Sequence, residues 1–334
     1  MIEKYYDGAI EQVAAGLGTV EKNYLLVRYS GQFSVENLND TKQLEKNEDI
    51  FVQVHEFETG EITCAYEPYL TMICDGFRRY MTGSFEEFME TCDVYYLHRP
   101  VLLGYFNQDN TGREEIILLD EVAYEQERML AALERMLCAI ADRHPVLFVL
   151  NRFQLASKST MQLTARFLKC ENCNIGLVLG VSDIQAMPEF LVPDWEMLYE
   201  TLDDGSKIYH IGNSGRKKEE AIDDEKYVDY GSEKVYRKLQ NMVEFLDFDQ
   251  AAYYLETIER KIKFDNLLVD DAARFRMWLL FVKVSILRQD IPKALEICED
   301  LEKIHLAGKE EECAYEHHDG CFAEGARLRY PRGH

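Results

Sequence analysis

Five short, nearly continuous apolar runs lie between residues 24 and 211: Tyr24-Leu25-Leu26-Val27, Ile50 to Val54, Val146-Leu147-Phe148-Val149-Leu150, Ile175 to Val181 and Ile208 to Ile211. A strand with one wet face alternates apolar and polar residues, whereas a strand covered on both faces reads as an unbroken apolar run. The segments between the runs have helical spacing. Ile2, Tyr5, Tyr6, Ile10, Val13 and Leu17 fall on one face before Gly16 and Gly18 stop the pattern. Further helices are predicted over Ser34 to Lys46, from Tyr69 through Arg79, over Val122 to Arg143 and over Ser159 to Lys169, with the Tyr- and Leu-rich stretch Phe85 to Phe106 as a helical insertion. Strands alternating with helices imply a mostly parallel sheet in a three-layer α/β domain.

The pattern changes at Gly212-Asn213-Ser214-Gly215, which leads into Arg216-Lys217-Lys218-Glu219-Glu220 and an acidic run. Residues 1–211 are therefore read as the α/β domain, 212–231 as a charged linker, and 232–325 as an all-helical domain. Helical spacing there covers Glu233 to Phe245, Gln250 to Lys263, Ala272 to Arg288 and Pro292 to His305, with a weaker helix from Glu310. Ala252 and Ala294 are placed in equivalent positions at the start of a hairpin's second helix, where a small side chain lets paired helices approach. This resembles tetratricopeptide repeats, although the separation exceeds that repeat's period of about 34 residues. The final residues, Arg327 to His334, abandon helical patterning and no polar capping repeat is visible, so the repeats read as truncated.

Charge narrows the function classes. With 37 Lys and Arg against 61 Asp and Glu, the chain carries a formal charge of -24, which repels polyphosphate backbones and argues against direct nucleic-acid binding. Nine cysteines scattered through apolar segments do not form a disulfide framework and fit reduced thiols in a cytoplasmic protein. No secretory pattern opens the sequence and no apolar run approaches membrane-spanning length, so no membrane association is expected.

Pro145 to Lys169 carries a family resemblance. In AAA-related signal-transducing (STAND-type) P-loop ATPases, a hydrophobic strand ends in Asp-Asp, followed by an apolar residue, Gln, Trp, Ala, Asp and a Ser/Thr-Leu helix. Here Gln154, Ala156 and Thr160 sit at the matching positions, Asn151 and Arg152 take the two acidic places, and Ser157 takes the later Asp. Ile175 to Val181 corresponds to the family's sensor strand, and Tyr66-Glu67-Pro68-Tyr69 resembles the Tyr-rich, Pro-containing turn after its second strand. The resemblance spans Asn23 to Ile211 and implies a P-loop NTPase-like fold.

The first strand-to-helix turn departs from that family. A working phosphate loop reads G-x-x-x-x-G-K followed by Ser or Thr, so that amides wrap the phosphates, Lys neutralises them and the hydroxyl holds magnesium. This chain has Val27-Arg28-Tyr29-Ser30-Gly31-Gln32-Phe33-Ser34, with one glycine and no lysine. Ser30, Gly31, Ser34 and Asn151 are thus candidates for a vestigial nucleotide site without hydrolysis. The alternative is an active ATPase that takes ATP and magnesium through Asp120 and Glu121, since Ile116-Ile117-Leu118-Leu119-Asp120-Glu121 has the form of a metal-binding strand. An acidic start to the Val122 helix explains the same letters. A third reading is a small-ligand sensor with its site at the strand ends.

Cys170 and Cys173 have metal-ligand spacing, and Cys313, His317, His318 and Cys321 form a second cluster, but neither supplies the four converging ligands zinc requires. His55, His98 and His144 each stand beside apolar residues and read as structural, and Tyr95, Tyr96, Tyr105 and Phe106 read as core. The expectation is a cofactor-free, non-hydrolysing module of a bacterial multidomain regulator, of the diguanylate cyclase or transcriptional type. Protein partners would bind its helical repeats, with self-association as a further option, and any enzymatic output would lie outside these residues.

Overall fold

The computed structural model describes residues 2–17, 24–29, 49–58, 61–108, 121–170, 174–182, 187–202, 208–211, 229–265 and 267–303. Two compact units divide the chain, one drawn from Met1–Glu115 and Glu125–Val228, the other from Ile116–Tyr124 and Asp229–His334. The helices expected over Ser34 to Lys46 and from Glu310 lie outside the described residues.

The first unit is built on five parallel strands, β1 (Tyr24–Tyr29), β2 (Phe51–Glu56), β3 (Val146–Asn151), β4 (Ile175–Ser182) and β5 (Ile208–Ile211), in the order β2-β3-β4-β1-β5. Every pairing is parallel, with Glu56 opposite Asn151 and Tyr29 opposite Ser182 at the carboxyl ends. All residues of β3 and β4 are buried, which is why both read as continuous apolar runs.

Helices cover both faces of the sheet. Helix α1 (Ile2–Gly16) sets Ala9, Ile10 and Val13 against Leu25, Val27 and Tyr29 of β1, Leu147 and Val149 of β3, and Val178 of β4. The approach is close: a Cβ on Gly176 would stand 2.7 Å from Val13 Cγ1 and 3.1 Å from Leu147 Cδ1, so glycine at this place in β4 lets α1 pack against the sheet without displacing either side chain. On the opposite face, Tyr69 of α2 (Tyr69–Tyr80) meets Phe148 at 4.8 Å and Phe167 of α6 (Lys158–Lys169) at 5.3 Å. The Arg28 guanidinium stands 5.6 Å from the ring of Tyr199 on α7 (Val192–Leu202). Each large apolar side chain so covered contributes about 1.5–3 kcal/mol.

Between α2 and β3 come α3 (Phe85–Thr91), α4 (Arg99–Asn107) and α5 (Val122–Ala141). A capping box of Ser84 and Glu87 opens α3, and Phe85 stacks on Phe106 with centroids 4.1 Å apart. Tyr96 is an exception to the core reading of this aromatic stretch: it is 61% exposed.

The second unit contains α8 (Glu233–Glu244), α9 (Phe248–Phe264), α10 (Asp271–Leu287) and α11 (Ile291–Lys303). Ser232 and Asp270 cap α8 and α10 by accepting from the amides of Val235 and Ala273. Two turns have the same geometry. Leu246 and Gln289 both adopt positive φ, Asp247 and Asp290 follow them, and the amides of Ala251 and Ala294 donate to those two Asp carbonyls at 3.0 Å. The equivalent small residues are therefore Ala251 and Ala294, at a constant offset of 43 residues, and not Ala252 and Ala294: the left-handed turn sets the register, and a run of two alanines does not reveal it. No helix among the described residues is long and apolar enough to cross a membrane.

Candidate functional site

The chain leaves β1 toward β2 on one side of it and leaves β4 toward β5 on the other, so the direction of connection reverses at β1. Open parallel sheets place ligands outside the carboxyl ends of the strands at such a reversal. Side-chain alternation puts Tyr29, Glu56, Asn151 and Ser182 on the α1 face at that end.

Asn151 closes β3, fully buried. Its Oδ1 accepts a hydrogen bond from the Tyr29 hydroxyl at 2.7 Å. Burial pushes the Tyr29 phenol up to about 12, against the opposing influence of nearby Arg152 and the Asn151 bond, so the hydroxyl stays a neutral donor at physiological pH. Arg152 follows in the left-handed conformation (φ 52, ψ 42), and its Nη2 lies 3.3 Å from Glu56 Oε1. The next turn is anchored by Gln154, which donates to the Ser182 carbonyl at 3.1 Å and accepts from the Ser182 amide at 3.3 Å, extending the end of β4 by one side-chain amide.

Behind this end a hydroxyl network fixes α6. Ser157 Oγ accepts from the Thr160 amide and bonds the hydroxyls of Ser159 and Thr160 at 3.1 and 2.8 Å. Ser159 accepts from the Tyr66 amide, Thr160 donates to the Glu67 carbonyl, and Tyr69 shares a 2.6 Å bond with Thr164. The Tyr66 to Tyr69 turn and the segment after β3 are thus held together by polar groups that are nearly all buried, a costly arrangement unless each group is satisfied.

Of the residues singled out in the sequence, Asn151 lies at this end of the sheet. Ser30, Gly31, Ser34 and Asp120 lie outside the described residues, and Glu121 is exposed in the turn that opens α5. Cys170 is half-buried at the C-cap of α6, while Cys173, Cys313, His317, His318 and Cys321 lie outside the described residues. Among the described residues no three His, Cys, Asp or Glu side chains converge to hold a metal ion. Burial raises the Cys74 thiol to about 12 and the Cys92 thiol to about 11, disfavouring the thiolates that would react or bind metal.

The structural reading of the histidines fits their surroundings: His98 bonds Glu125 at 2.8 Å, His55 packs edge-on against Phe57 and His144 stacks on Tyr80. Tyr29, Glu56 and Ser182 were not singled out as site residues by the sequence. Each is a polar side chain at the carboxyl end of a parallel strand, and that shared position is the signal that could have found them. The chain matches no protein-family model, no curated protein and no solved structure.

Proposed function

We propose that the chain is a non-hydrolysing regulatory module of a bacterial signalling protein, in which a degenerate P-loop ATPase-like unit has a structural or sensing role and the tetratricopeptide-like hairpins meet protein partners. The observation that carries this reading is the 2.7 Å bond from the Tyr29 hydroxyl to Asn151 Oδ1. Magnesium held for phosphoryl transfer needs anionic oxygen at the end of the acidic strand. Here that place holds a neutral amide whose oxygen already accepts a phenol proton. The next side chain is a guanidinium, of the wrong sign for a cation.

Three features support the ATPase-like ancestry behind the reading. A sensor strand can respond to a nucleotide only if it lies between the phosphate-loop strand and the metal strand, and β4 does lie between β1 and β3. The two segments that resemble family motifs, Tyr66 to Tyr69 and Ser157 to Thr164, are hydrogen-bonded to one another. Gln154, at a motif position, ties the turn after β3 to the end of β4.

The test is calorimetric titration of the intact chain with magnesium-ATP, run beside a phosphate-release assay. The expected result is no saturable heat at millimolar nucleotide and no release above buffer. Micromolar binding that disappears in Asp120→Ala would overturn the reading in favour of an active ATPase. A small-ligand sensor is the second reading, favoured by the Arg152 guanidinium, which follows β3 but stands beside Tyr29 at the end of β1, where the connections reverse.

A further inference from the structure

A residue continuing β3 past Asn151 would turn its side chain to the face away from α1. Arg152 instead takes the left-handed conformation, at a cost of about 1–3 kcal/mol for a residue other than glycine. Its guanidinium consequently returns to the α1 face, beside Tyr29 and against Glu56. The pair is only partly covered, with side chains 25% and 17% exposed, and its 3.3 Å separation is longer than the roughly 2.7–2.9 Å of a tight charge-assisted bond. A guanidinium carries five donors in a planar fork suited to a carboxylate, and here it is held at the sheet end where open α/β folds take ligands.

We infer that Arg152 is the anchor of a binding site for a small organic monocarboxylate, and that Glu56 is its internal placeholder, displaced when the ligand's carboxylate takes the guanidinium. The inference deepens the small-ligand reading and is independent of whether ATP is bound. Charge selects the class. Once Glu56 swings away, Arg152 offers one positive charge in a chain of net charge -24, which matches a monoanion and opposes a phosphate dianion. Neutral Tyr29 and Asn151, bonded to each other, form an uncharged floor beside the guanidinium.

The experiment is a thermal-shift titration of the whole chain with acetate, against chloride at equal ionic strength, with inorganic phosphate as a parallel arm. Acetate is expected to raise the melting temperature saturably and phosphate to do so less. Glu56→Gln removes the competing charge. If the closed pair is populated about ten to one, this variant tightens the apparent acetate affinity about tenfold. Arg152→Gly is compatible with the left-handed backbone, so it keeps the fold while abolishing the response. The inference is overturned by an acetate effect that survives Arg152→Gly, by no acetate effect in either wild type or Glu56→Gln, or by phosphate binding as tightly as acetate. The magnesium-ATP titration reports separately on the loss of ATPase chemistry, so either proposal can fail alone.

Discussion

Among the described residues each unit buries one glutamate against polar side chains, and the two differ in how far those partners reach water. In the α/β unit Glu125 of α5 is 3% exposed, faces a fully buried His98 at 2.8 Å and is reached by Arg128 at 3.2 Å. In the helical unit Glu259 of α9 is 6% exposed and lies between Lys263 at 2.7 Å and Lys293 at 2.8 Å, whose chains keep 40% and 20% of their surface in water. The first carboxylate depends on a partner with no access to solvent. The second depends on two long chains that cross from α9 and α11 and can rehydrate. Similar burial therefore carries different consequences for the same kind of mutation.

The largest effect is expected where rehydration is blocked. His98→Ala removes the side chain that links the start of α4 to α5 and leaves Glu125 with Arg128 alone, itself stacked on Tyr95 at 4.1 Å. A buried ion whose partner is deleted costs about 3–5 kcal/mol, and Arg128 brings the expectation to the lower end, about 3 kcal/mol in urea unfolding. A loss under about 1 kcal/mol would mean that Glu125 reaches water and would erase the contrast between the two sites.

A smaller effect is expected in the helical unit. Glu259→Gln keeps the shape and removes the charge, while both lysines retain Glu296 and solvent. The expected loss is about 1–2 kcal/mol, and it should shrink in 1 M salt, where exposed charges are screened over about 3 Å. Hydrogen bonding to Glu259 holds Lys263 up to about 12. A raised lysine pKa means that this contribution is present below the unfolded value near 10.5 and lost as pH rises through 12, and the variant, in which only Glu296 still raises Lys263, should show a smaller alkaline limb. A penalty equal to that of His98→Ala and unchanged by salt would make the two glutamates alike.

The contrast also shows what the sequence disclosed. Strands covered on both faces announce themselves as apolar runs, so β1, β3 and β4 were legible from Tyr24 to Val27, Val146 to Leu150 and Ile175 to Val181. Their lateral order was not, because a run carries no information about its neighbour. Helix α7 was not among the expected helices, and Pro193 sits in its first turn, where the missing N–H costs nothing. His98 and Glu125 are 27 positions apart, and no periodicity pairs them. The left-handed Arg152 gives no local signal, since that conformation is usually marked by glycine or asparagine. At the candidate site, Asn151 was legible as a departure from a motif, whereas its partner Tyr29 follows only from the strand order that sets β1 two places from β3.

The smallest effect at neutral pH is expected at the strand ends, where the polar pair is uncharged. Tyr29→Phe removes one hydrogen bond to Asn151, about 1 kcal/mol at pH 7 and indifferent to salt. The sharper difference lies at high pH. Burial raises the folded Tyr29 pKa from 10.0 to about 12, so the folded chain keeps its proton where the unfolded chain releases it. Stability from this group is complete below pH 10 and falls as pH rises toward 12, the sign required for an acid whose pKa is raised on folding. Tyr29→Phe should flatten that part of the alkaline stability curve and remove one late-ionising phenol from the tyrosinate absorbance titration at 295 nm. If every tyrosine outside Tyr69 and Tyr105, also raised by burial, ionises near pH 10 in the wild type, the neutral lock between Tyr29 and Asn151 is open in solution. In that case the sheet's carboxyl end would be as hydrated as the seam between α9 and α11.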